Sequence, residues 1–385
     1  MLRFIALTSL ILAMLAAGHA LLVIKGNTYF YTVLRLTIFK GKFGPYLNDY
    51  KEFENDTLKP VSPKYWEVAN KHTAPEFLQK AHEEFETTAF LVIKNNQIIH
   101  ESYFDGYDSN APSNSFSMAK SFVSALVGVA LQNGEIKSID QTIDEFLPEY
   151  KDLPQGKVTL KQLLMMSSGI GFDEDYLNPF AFPAKAYYGK DLRQLLLEYP
   201  MVEEPGIYYD YQGGATQLLA FIVEEASGKT LSQYFQEEIW RKVGAETESY
   251  WILDQKNGNE KASCCIIATA RDFAKFGKLY LDGGKVDSTQ IIPSWFVKES
   301  ISPSGLLDKR DKEKVHFYGY QWWMGKHQEK DFFYARGILG QYIFVIPEED
   351  LIIVRLGHKR SIERTRKHPN DIFYWLDAGL AMASK

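Results

Sequence analysis

Residues 114–134, NSFSMAKSFVSALVGVALQNG, contain a single charged residue, Lys120. A surface helix of this length would normally carry several charges, whereas apolar residues here fall on every side of the predicted helix. A helix that is apolar all round is buried in a protein core. We therefore expect the chain to fold around this helix, with one lysine near the start of a buried element.

Ser117 and Lys120 form an SxxK tetrad near the start of that helix. Residues three apart on a helix lie on the same face, so the lysine amine can reach the serine oxygen. Burial disfavours the charged ammonium, and a neutral amine can accept the serine proton. Backbone N–H groups at a helix start can stabilise an anionic oxygen. Together these features predict an acyl-transfer site.

The alternative interpretation of the tetrad is a capping serine followed by a lysine whose amine extends to the surface. This alternative requires polar neighbours along the helix. No long polar side chain follows Lys120 before Gln132. The catalytic interpretation is therefore favoured over the structural one.

Composition narrows the functional classes. The chain has 385 residues, of which 45% are hydrophobic, and a formal net charge of −6 that gives no reason to expect nucleic acid.

The two cysteines, Cys264 and Cys265, are adjacent, and we expect two half-buried thiols rather than a disulfide. Zinc-type spacing and helical histidine pairs do not occur, so no metal is predicted.

The N-terminus predicts export. Residues 4–24 contain no Asp, Glu, Lys or Arg, and this length can span a bilayer as a helix. Residues 1–25 are therefore either a signal peptide, cut after Ala20, or a membrane anchor. Basic residues after the span outnumber those before it, which disfavours a simple anchor. We expect an extracytoplasmic (periplasmic) protein, anchored or secreted, with residues 26–74 as a connector.

Strand patterns at both ends of the remaining chain flank a helical middle. TAFLVIK and QIIHESYF, separated by Asn95-Asn96, predict a hairpin. QYIFVIP and DLIIVRLG predict strands near the C-terminus. The expected fold is α/β (α+β), with an antiparallel sheet flanked by helices and an all-helical lobe inserted. The sheet lobe comprises residues 75–134 and 261–385, and the helical lobe residues 135–260.

The segment FSMAKSFVSALVGVALQNGEIKSIDQTIDEFLPE resembles the first motif of the serine β-lactamase and penicillin-binding-protein superfamily. Further landmarks follow in the family's order: LLMMSSGIGFDEDY, YQGGATQLLAFIVEEASGKT, ATARDFAKFGKLYLDGG and ARGILGQYIFVIPEEDLIIV. The closest similarity is to the class C-like branch, which includes esterases and 6-aminohexanoate-oligomer hydrolases. The resemblance covers residues from about 75 to the end. It implies a β-lactamase/transpeptidase-like fold and an acyl-enzyme that needs no cofactor.

The resemblance implies that Tyr211 carries the second motif, Tyr-x-Asn or Tyr-x-Ser. A phenol beside the amine can relay a proton between nucleophile and leaving group. Gly213 replaces the family's Asn or Ser, so a side chain that orients substrate is missing. Tyr208 and Tyr209 are nearby, and a shift in register would assign the motif to one of them.

The third motif, Lys-Thr-Gly or His-x-Gly in the family, aligns with Ala335-Arg336-Gly337. Alanine thus occupies the usual basic position, and Arg336 is the substitute for binding a substrate carboxylate, unless strand alternation sends it to the opposite face. Gly337 would allow close approach of substrate. The backbone N–H of Ile338 matches the second oxyanion donor.

The DEDY stretch resembles an acidic-aromatic loop of the nylon-hydrolase branch. The resemblance implies that Asp175 and Tyr176 face the substrate. The three acids from Asp173 onward are equally consistent with a solvated turn.

Two functions follow from these residues. The first is a serine hydrolase of a small amide or ester, such as a D-amino-acid peptide or an aminohexanoate-type oligomer. The second is a catalytically weak penicillin-recognition module or sensor that binds peptidoglycan fragments. The expected partner is a small-molecule substrate, with N-terminal membrane association and no nucleic acid.

Overall fold

The structure is a computed structural model that describes residues 2–69 and 72–384. Its helices, in chain order, are α1 (Leu2–Ile24), α2 (Phe30–Leu36), α3 (Glu76–Glu84), α4 (Ala119–Asn133), α5 (Leu160–Leu164), α6 (Phe182–Tyr188), α7 (Leu192–Leu197), α8 (Gly213–Ser227), α9 (Leu231–Phe235), α10 (Arg241–Val243), α11 (Ala270–Leu281), α12 (Ser294–Ser300) and α13 (Asp371–Ala383).

Its strands, in the same order, are β1 (Asn55–Leu58), β2 (Glu67–Val68), β3 (Thr87–Lys94), β4 (Gln97–Tyr103), β5 (Ser113–Asn114), β6 (Tyr208–Tyr209), β7 (Ser249–Ile252), β8 (Ile266–Ala268), β9 (Lys285–Val286), β10 (Thr289–Gln290), β11 (Leu307–Asp308), β12 (Trp323–His327), β13 (Lys330–Gly337), β14 (Gln341–Ile346), β15 (Leu351–Gly357), β16 (Arg364–Thr365) and β17 (His368–Pro369).

The main sheet joins strands from the two ends of the folded region that follows the connector. Within the described ranges its order is β12-β13-β14-β15-β3-β4-β2. Strand β15 pairs antiparallel with β3, so that Val354 lies opposite Leu91. The predicted α/β class, with distant segments sharing one sheet, is confirmed. One edge differs from the prediction, because β2 pairs with β4 in parallel. Strand β2 comes from the connector, and no hairpin constrains its direction.

The hairpin between β3 and β4 forms where the sequence predicts it. Asn95 and Asn96 have φ angles of 50° and 64°, respectively. Asparagine tolerates this left-handed conformation better than most residues, and two such residues make the tight turn that suits the twist of paired strands. The turn brings β3 and β4 together as antiparallel neighbours.

Helices cover both faces of the sheet, which explains why β15 is buried along its whole length. A Cβ at Gly277 of α11 would meet Ile343 and Ile352, whereas a Cβ at Gly379 of α13 would meet Ile353. Successive residues of a strand point to opposite faces. Helices α11 and α13 therefore pack against opposite faces, and a strand buried on both faces is mostly hydrophobic.

A second sheet, with the order β1-β7-β8-β5, lies beside the buried helix. It was not predicted from the sequence. Strand β7 comes from the region expected to be helical, and β1 comes from the connector. Strand β5 immediately precedes the SxxK turn, so this sheet fixes the entry of the chain into the site.

The N-terminal segments differ in their packing. Helix α1 is exposed and is long and apolar enough to cross a membrane, a test that a signal sequence near the N-terminus also passes. The connector is not a loose linker. Leu36 and Leu47 are fully buried in a cluster with Phe116 and Tyr187. The connector is thus packed against the segment that carries the SxxK tetrad.

Candidate active site

Ser117 lies in a one-turn 3₁₀ helix, Phe116–Met118, that runs directly into α4. Phe116 has a φ angle of 44°, and such a conformation in a bulky residue is costly unless the surroundings hold it. Its N–H donates to Asn114 Oδ1 at 2.9 Å, while its carbonyl accepts from the Ser115 hydroxyl at 3.1 Å. These bonds fix the turn and leave Ser117 half-buried at the end of two pockets.

Lys120 is buried, with 3% of its surface exposed. Its Nζ lies 3.2 Å from Ser117 Oγ and donates to the Ser263 carbonyl at 2.7 Å. Met118, at the end of the 3₁₀ turn, and Phe122, in α4, are also fully buried. The structure therefore brings the amine and the hydroxyl of the tetrad within hydrogen-bonding distance, with the amine buried.

Tyr211 is the tyrosine that the structure places beside this pair. It lies between β6 and α8, and Lys120 Nζ is 5.1 Å from the centroid of its ring. Tyr209 instead packs against Tyr318, with ring centroids 5.0 Å apart, and Tyr208 lies under Lys312. The structure therefore favours the register in which Tyr211 carries the second motif.

Glu174 is an acidic residue that sequence analysis missed. It lines both pockets, and its Oε1 accepts a hydrogen bond from the Gly213 N–H. A Cβ added at Gly213 would lie 3.2 Å from this oxygen. Burial raises the pKa of the Glu174 carboxyl above its ordinary value, and the Lys120 charge opposes this effect. The available signal was its place in the acidic DEDY run, which does not reveal which acid points inward.

Of the two residues predicted from DEDY to face substrate, Tyr176 lies at the pockets and Asp175 does not. Tyr176 lines both pockets. Asp175 is exposed, and its Oδ1 accepts from the Leu177 N–H at 2.9 Å, in a turn outside the lining of either pocket. The solvated-turn alternative therefore describes Asp175, because its carboxylate is satisfied by the backbone of its own loop.

The end of β13 forms the opposite side of the site. Ile338 lines both pockets. A Cβ at Gly337 would lie 2.3 Å from the Ser115 carbonyl, so glycine is required here for the strand to approach the serine turn. Arg336 faces the second pocket, but its guanidinium stacks on Trp323 at 3.2 Å from the ring centroid and donates to the Lys367 carbonyl. The guanidinium of Arg336 is therefore held in place by contacts within the protein.

The first pocket, here called the apolar pocket, has a volume of about 280 Å³. Lys120, Gly213 and Ser263 line it near the nucleophile. Its remaining wall is largely hydrophobic and includes Val33, Ile38, Phe182, Ala184, Tyr188 and Leu192. Two of these belong to the connector, a contribution that sequence analysis did not predict.

The second pocket, here called the arginine pocket, has a volume of about 790 Å³. Tyr211 and Trp323 line the part nearest the nucleophile. The basic residues around it are Lys42, Arg310, Arg336, Arg360, Arg364 and Lys367. Both pockets share Ser117, and the connector segment 42–45 lines both of them.

A second buried lysine, Lys261, lies at the wall of the apolar pocket. Its Nζ donates to the Tyr187 carbonyl and lies 4.5 Å from the centroid of the Phe53 ring. Burial lowers the pKa of Lys261 to about 7, against the opposing charge of Asp254. This lysine does not contact Ser117, and we assign it no step in the chemistry.

The expectation of two free thiols is wrong in this structure, where Cys264 and Cys265 are joined in a disulfide. Cys265 adopts a φ angle of 82°, in the left-handed region, and this backbone conformation accommodates a disulfide between adjacent residues. Cys264 lines the apolar pocket and directly follows Ser263, whose carbonyl accepts the Lys120 hydrogen bond. Among the described residues, no cluster of three His, Cys, Asp or Glu side chains suits a metal ion.

Comparison with known proteins assigns the chain to a family. The family model "Beta-lactamase" matches residues 76–372, and the chain belongs to this family of serine hydrolases.

Two relatives are the most informative. The 6-aminohexanoate-dimer hydrolase of Paenarthrobacter ureafaciens is 26% identical over 325 residues, which cover 78% of this chain and 80% of that protein. A Bacillus anthracis structure provisionally assigned as a 6-aminohexanoate-dimer hydrolase has a TM-score of 0.75 and 26% identity, covering 88% of this chain and 92% of that one. A family VIII carboxylesterase shares the fold, with a TM-score of 0.62 at 16% identity over 81% of this chain and 99% of that chain.

Proposed function

We propose that the protein hydrolyses an amide or ester through an acyl-enzyme on Ser117. The observation that carries this proposal is the 3.2 Å distance between Lys120 Nζ and Ser117 Oγ at a buried position. A lysine amine held at this distance can accept the serine proton as the oxygen attacks, which is the role of a general base. The name of the Paenarthrobacter relative adds support for an amide substrate.

The proposed reaction has two halves. Lys120 takes the Ser117 proton as Oγ attacks the substrate carbonyl, and backbone N–H groups of Ser117 and Ile338 stabilise the resulting oxyanion. Tyr211 passes a proton to the leaving nitrogen or oxygen as its bond to the carbonyl carbon breaks. Water then attacks the acyl-serine ester, releasing the acid and restoring the hydroxyl. No cofactor takes part in either half.

The test is covalent labelling. We expect a fluorophosphonate probe to modify Ser117 in the purified protein, with the site identified by peptide mass. Lys120→Ala should lose the label, whereas Lys161→Ala, at an exposed position on α5, should retain it. A protein that is folded and unlabelled, yet binds muropeptides, would instead support the sensor function.

We infer the cellular location of the protein from helix α1. We propose an extracytoplasmic protein that is either tethered by this helix or released after its removal. Fractionation of cells expressing the full chain, followed by N-terminal sequencing of the mature protein, distinguishes the two. Recovery of unprocessed protein in the soluble cytoplasm would contradict the proposal.

A further inference from the structure

The two pockets that meet at Ser117 differ sharply in chemistry. The apolar pocket is enclosed by aliphatic and aromatic side chains from the connector, α6 and α7. The arginine pocket, by contrast, gathers four guanidiniums, those of Arg310, Arg336, Arg360 and Arg364. A substrate that spans the nucleophile therefore meets a hydrophobic wall on one side and a strongly positive one on the other.

Across residues 2–69 and 72–384, none of the four guanidiniums forms an ion pair with a carboxylate. Three acids line the arginine pocket, and each has another partner. Asp210 is paired with Lys309 and Asp308 with Lys367, both at 3.0 Å, whereas Glu174 accepts a hydrogen bond from the Gly213 N–H. The positive charge of the arginines is thus not paired with these acids.

The four arginines are close enough to influence one another electrostatically. Partial burial lowers the pKa of Arg364, and the charges of Arg336, Arg360 and Arg310 lower it further. Like charges held together in a cavity repel one another, and an anion placed among them removes that repulsion. Guanidinium groups are also the preferred partners of carboxylates and phosphates, because their paired donors match these anions.

The position of Tyr211 indicates which part of the substrate enters each pocket. Tyr211 lines the arginine pocket but not the apolar pocket. As the proton relay to the leaving group, it must lie on the side where the leaving group departs. The leaving group therefore extends into the arginine pocket, and the acyl group occupies the apolar pocket.

We propose that the substrate is an amphiphile, with an apolar acyl chain and a leaving group that carries a carboxylate or a phosphate; this rests on the hydrolase function proposed above. Water and the amide or ester are consumed. The carboxylic acid leaves from the apolar pocket, and the anionic amine or alcohol, protonated through Tyr211, leaves past the arginines. Arg310 and Arg364, which are exposed at the mouth, are the specificity-determining residues we assign.

The test compares octanoate esters of three phenols that differ in charge: 4-hydroxybenzamide, 4-hydroxybenzoate and 4-hydroxyphenyl phosphate. Each rate is corrected for spontaneous hydrolysis. We expect kcat/KM for the better of the two anionic esters to exceed that of the neutral ester by about tenfold or more, chiefly through KM. The two anionic esters distinguish a carboxylate-selective from a phosphate-selective pocket. Added salt should reduce the preference.

Variants test which arginines cause the preference for anionic esters. Arg310→Gln/Arg364→Gln should reduce the anionic-to-neutral ratio of kcat/KM to near one. Arg366→Gln, which removes an exposed arginine from the same hairpin but outside the pocket lining, should leave the ratio unchanged. An equal fall in both variants would indicate a general charge effect and overturn the assignment to these two arginines.

The acyl chain is tested with the anionic leaving group held constant. From acetate to octanoate, kcat/KM should rise by about threefold per methylene until the pocket is filled. Val33→Trp should abolish this rise by filling the pocket, whereas Phe39→Trp, on the exposed side of the connector, should not. Turnover with neither a charge nor a chain preference overturns the amphiphile while leaving the hydrolase intact. Failure to label Ser117 overturns the hydrolase itself.

Discussion

The N–H of Gly213 donates a hydrogen bond to the carboxyl group of Glu174, at the point where the second motif of the family would carry a polar side chain. The carboxyl group occupies that space and interacts electrostatically with Lys120. The loss of the motif's Asn or Ser is therefore accompanied by a polar group supplied from another loop.

We predict that Glu174→Gln alters the pH profile of hydrolysis. Burial raises the pKa of the Glu174 carboxyl above its ordinary value, so the ionisation of this group should contribute to the acid limb of the profile. Glutamine does not ionise, so the variant should lose this contribution and the acid limb of kcat/KM should shift to lower pH. Asp173→Asn, an exposed position on the same loop, is the control. An unchanged acid limb in Glu174→Gln would show that Glu174 does not titrate in the active enzyme.

The disulfide predicts redox sensitivity of the activity. Cys264 follows Ser263, whose carbonyl holds the Lys120 amine, so opening the disulfide should loosen this contact. Treatment with a phosphine reductant should lower the rate of Ser117 labelling, and reoxidation should restore it. A Cys264→Ser/Cys265→Ser variant should label at a reductant-independent rate. Equal sensitivity of this variant and the wild type would rule out the disulfide as the cause.

Lys261 predicts a pH-dependent stability. Its pKa is lowered to about 7 in the folded state, so between pH 7 and its unfolded value near 10.4 the unfolded chain binds more protons. The contribution of Lys261 to the free energy of unfolding therefore rises with pH across this window and is most unfavourable below pH 7. Lys261→Met should stabilise the protein by up to roughly 4 kcal/mol near pH 7, and this gain should shrink towards pH 10.

Denaturant titrations at pH 7 and 9.5 measure this difference. Lys161→Met, at an exposed position, is the matched control and should show no pH-dependent gain. A stabilisation by Lys261→Met that is the same at both pH values would contradict the lowered pKa.

We predict poor or absent turnover of the β-lactam nitrocefin. Ala335, in the basic position of the third motif, is fully buried, and Gly213 supplies no side chain. Two polar contacts to a β-lactam are therefore missing. The assay compares nitrocefin with a 4-nitrophenyl ester under the same conditions, and turnover comparable to that of a dedicated β-lactamase would refute the prediction.

The sequence predicted those parts of the fold that depend on local pattern. Alternation and the Asn95-Asn96 turn identified the β3–β4 hairpin, and the absence of charge identified the buried helix α4. The second sheet was missed because β5 and β8 are two and three residues long and pair across more than 150 positions of chain. Strands this short show no alternation of polar and apolar residues, so only their pairing in the folded protein identifies them.

The same limit applies to the site. Ser117 and Lys120 were found because their spacing on one helix already brings them together. Glu174 was missed because three successive acids give no indication of which one is buried. The wall that the connector supplies depends on contacts between Val33 and residues more than eighty positions away. The spacing of residues along the sequence does not reveal contacts that form only when the chain has folded.

The packing of residues 33–45 over Ser117 has a practical consequence for anyone preparing this protein. A shortened version that starts at residue 76, where the family match begins, would retain the serine, the lysine and the tyrosine. It would nevertheless lose one wall of both cavities and open the nucleophile to bulk solvent. Such a truncation would discriminate poorly between substrates, and its selectivity would be mistaken for that of the intact chain.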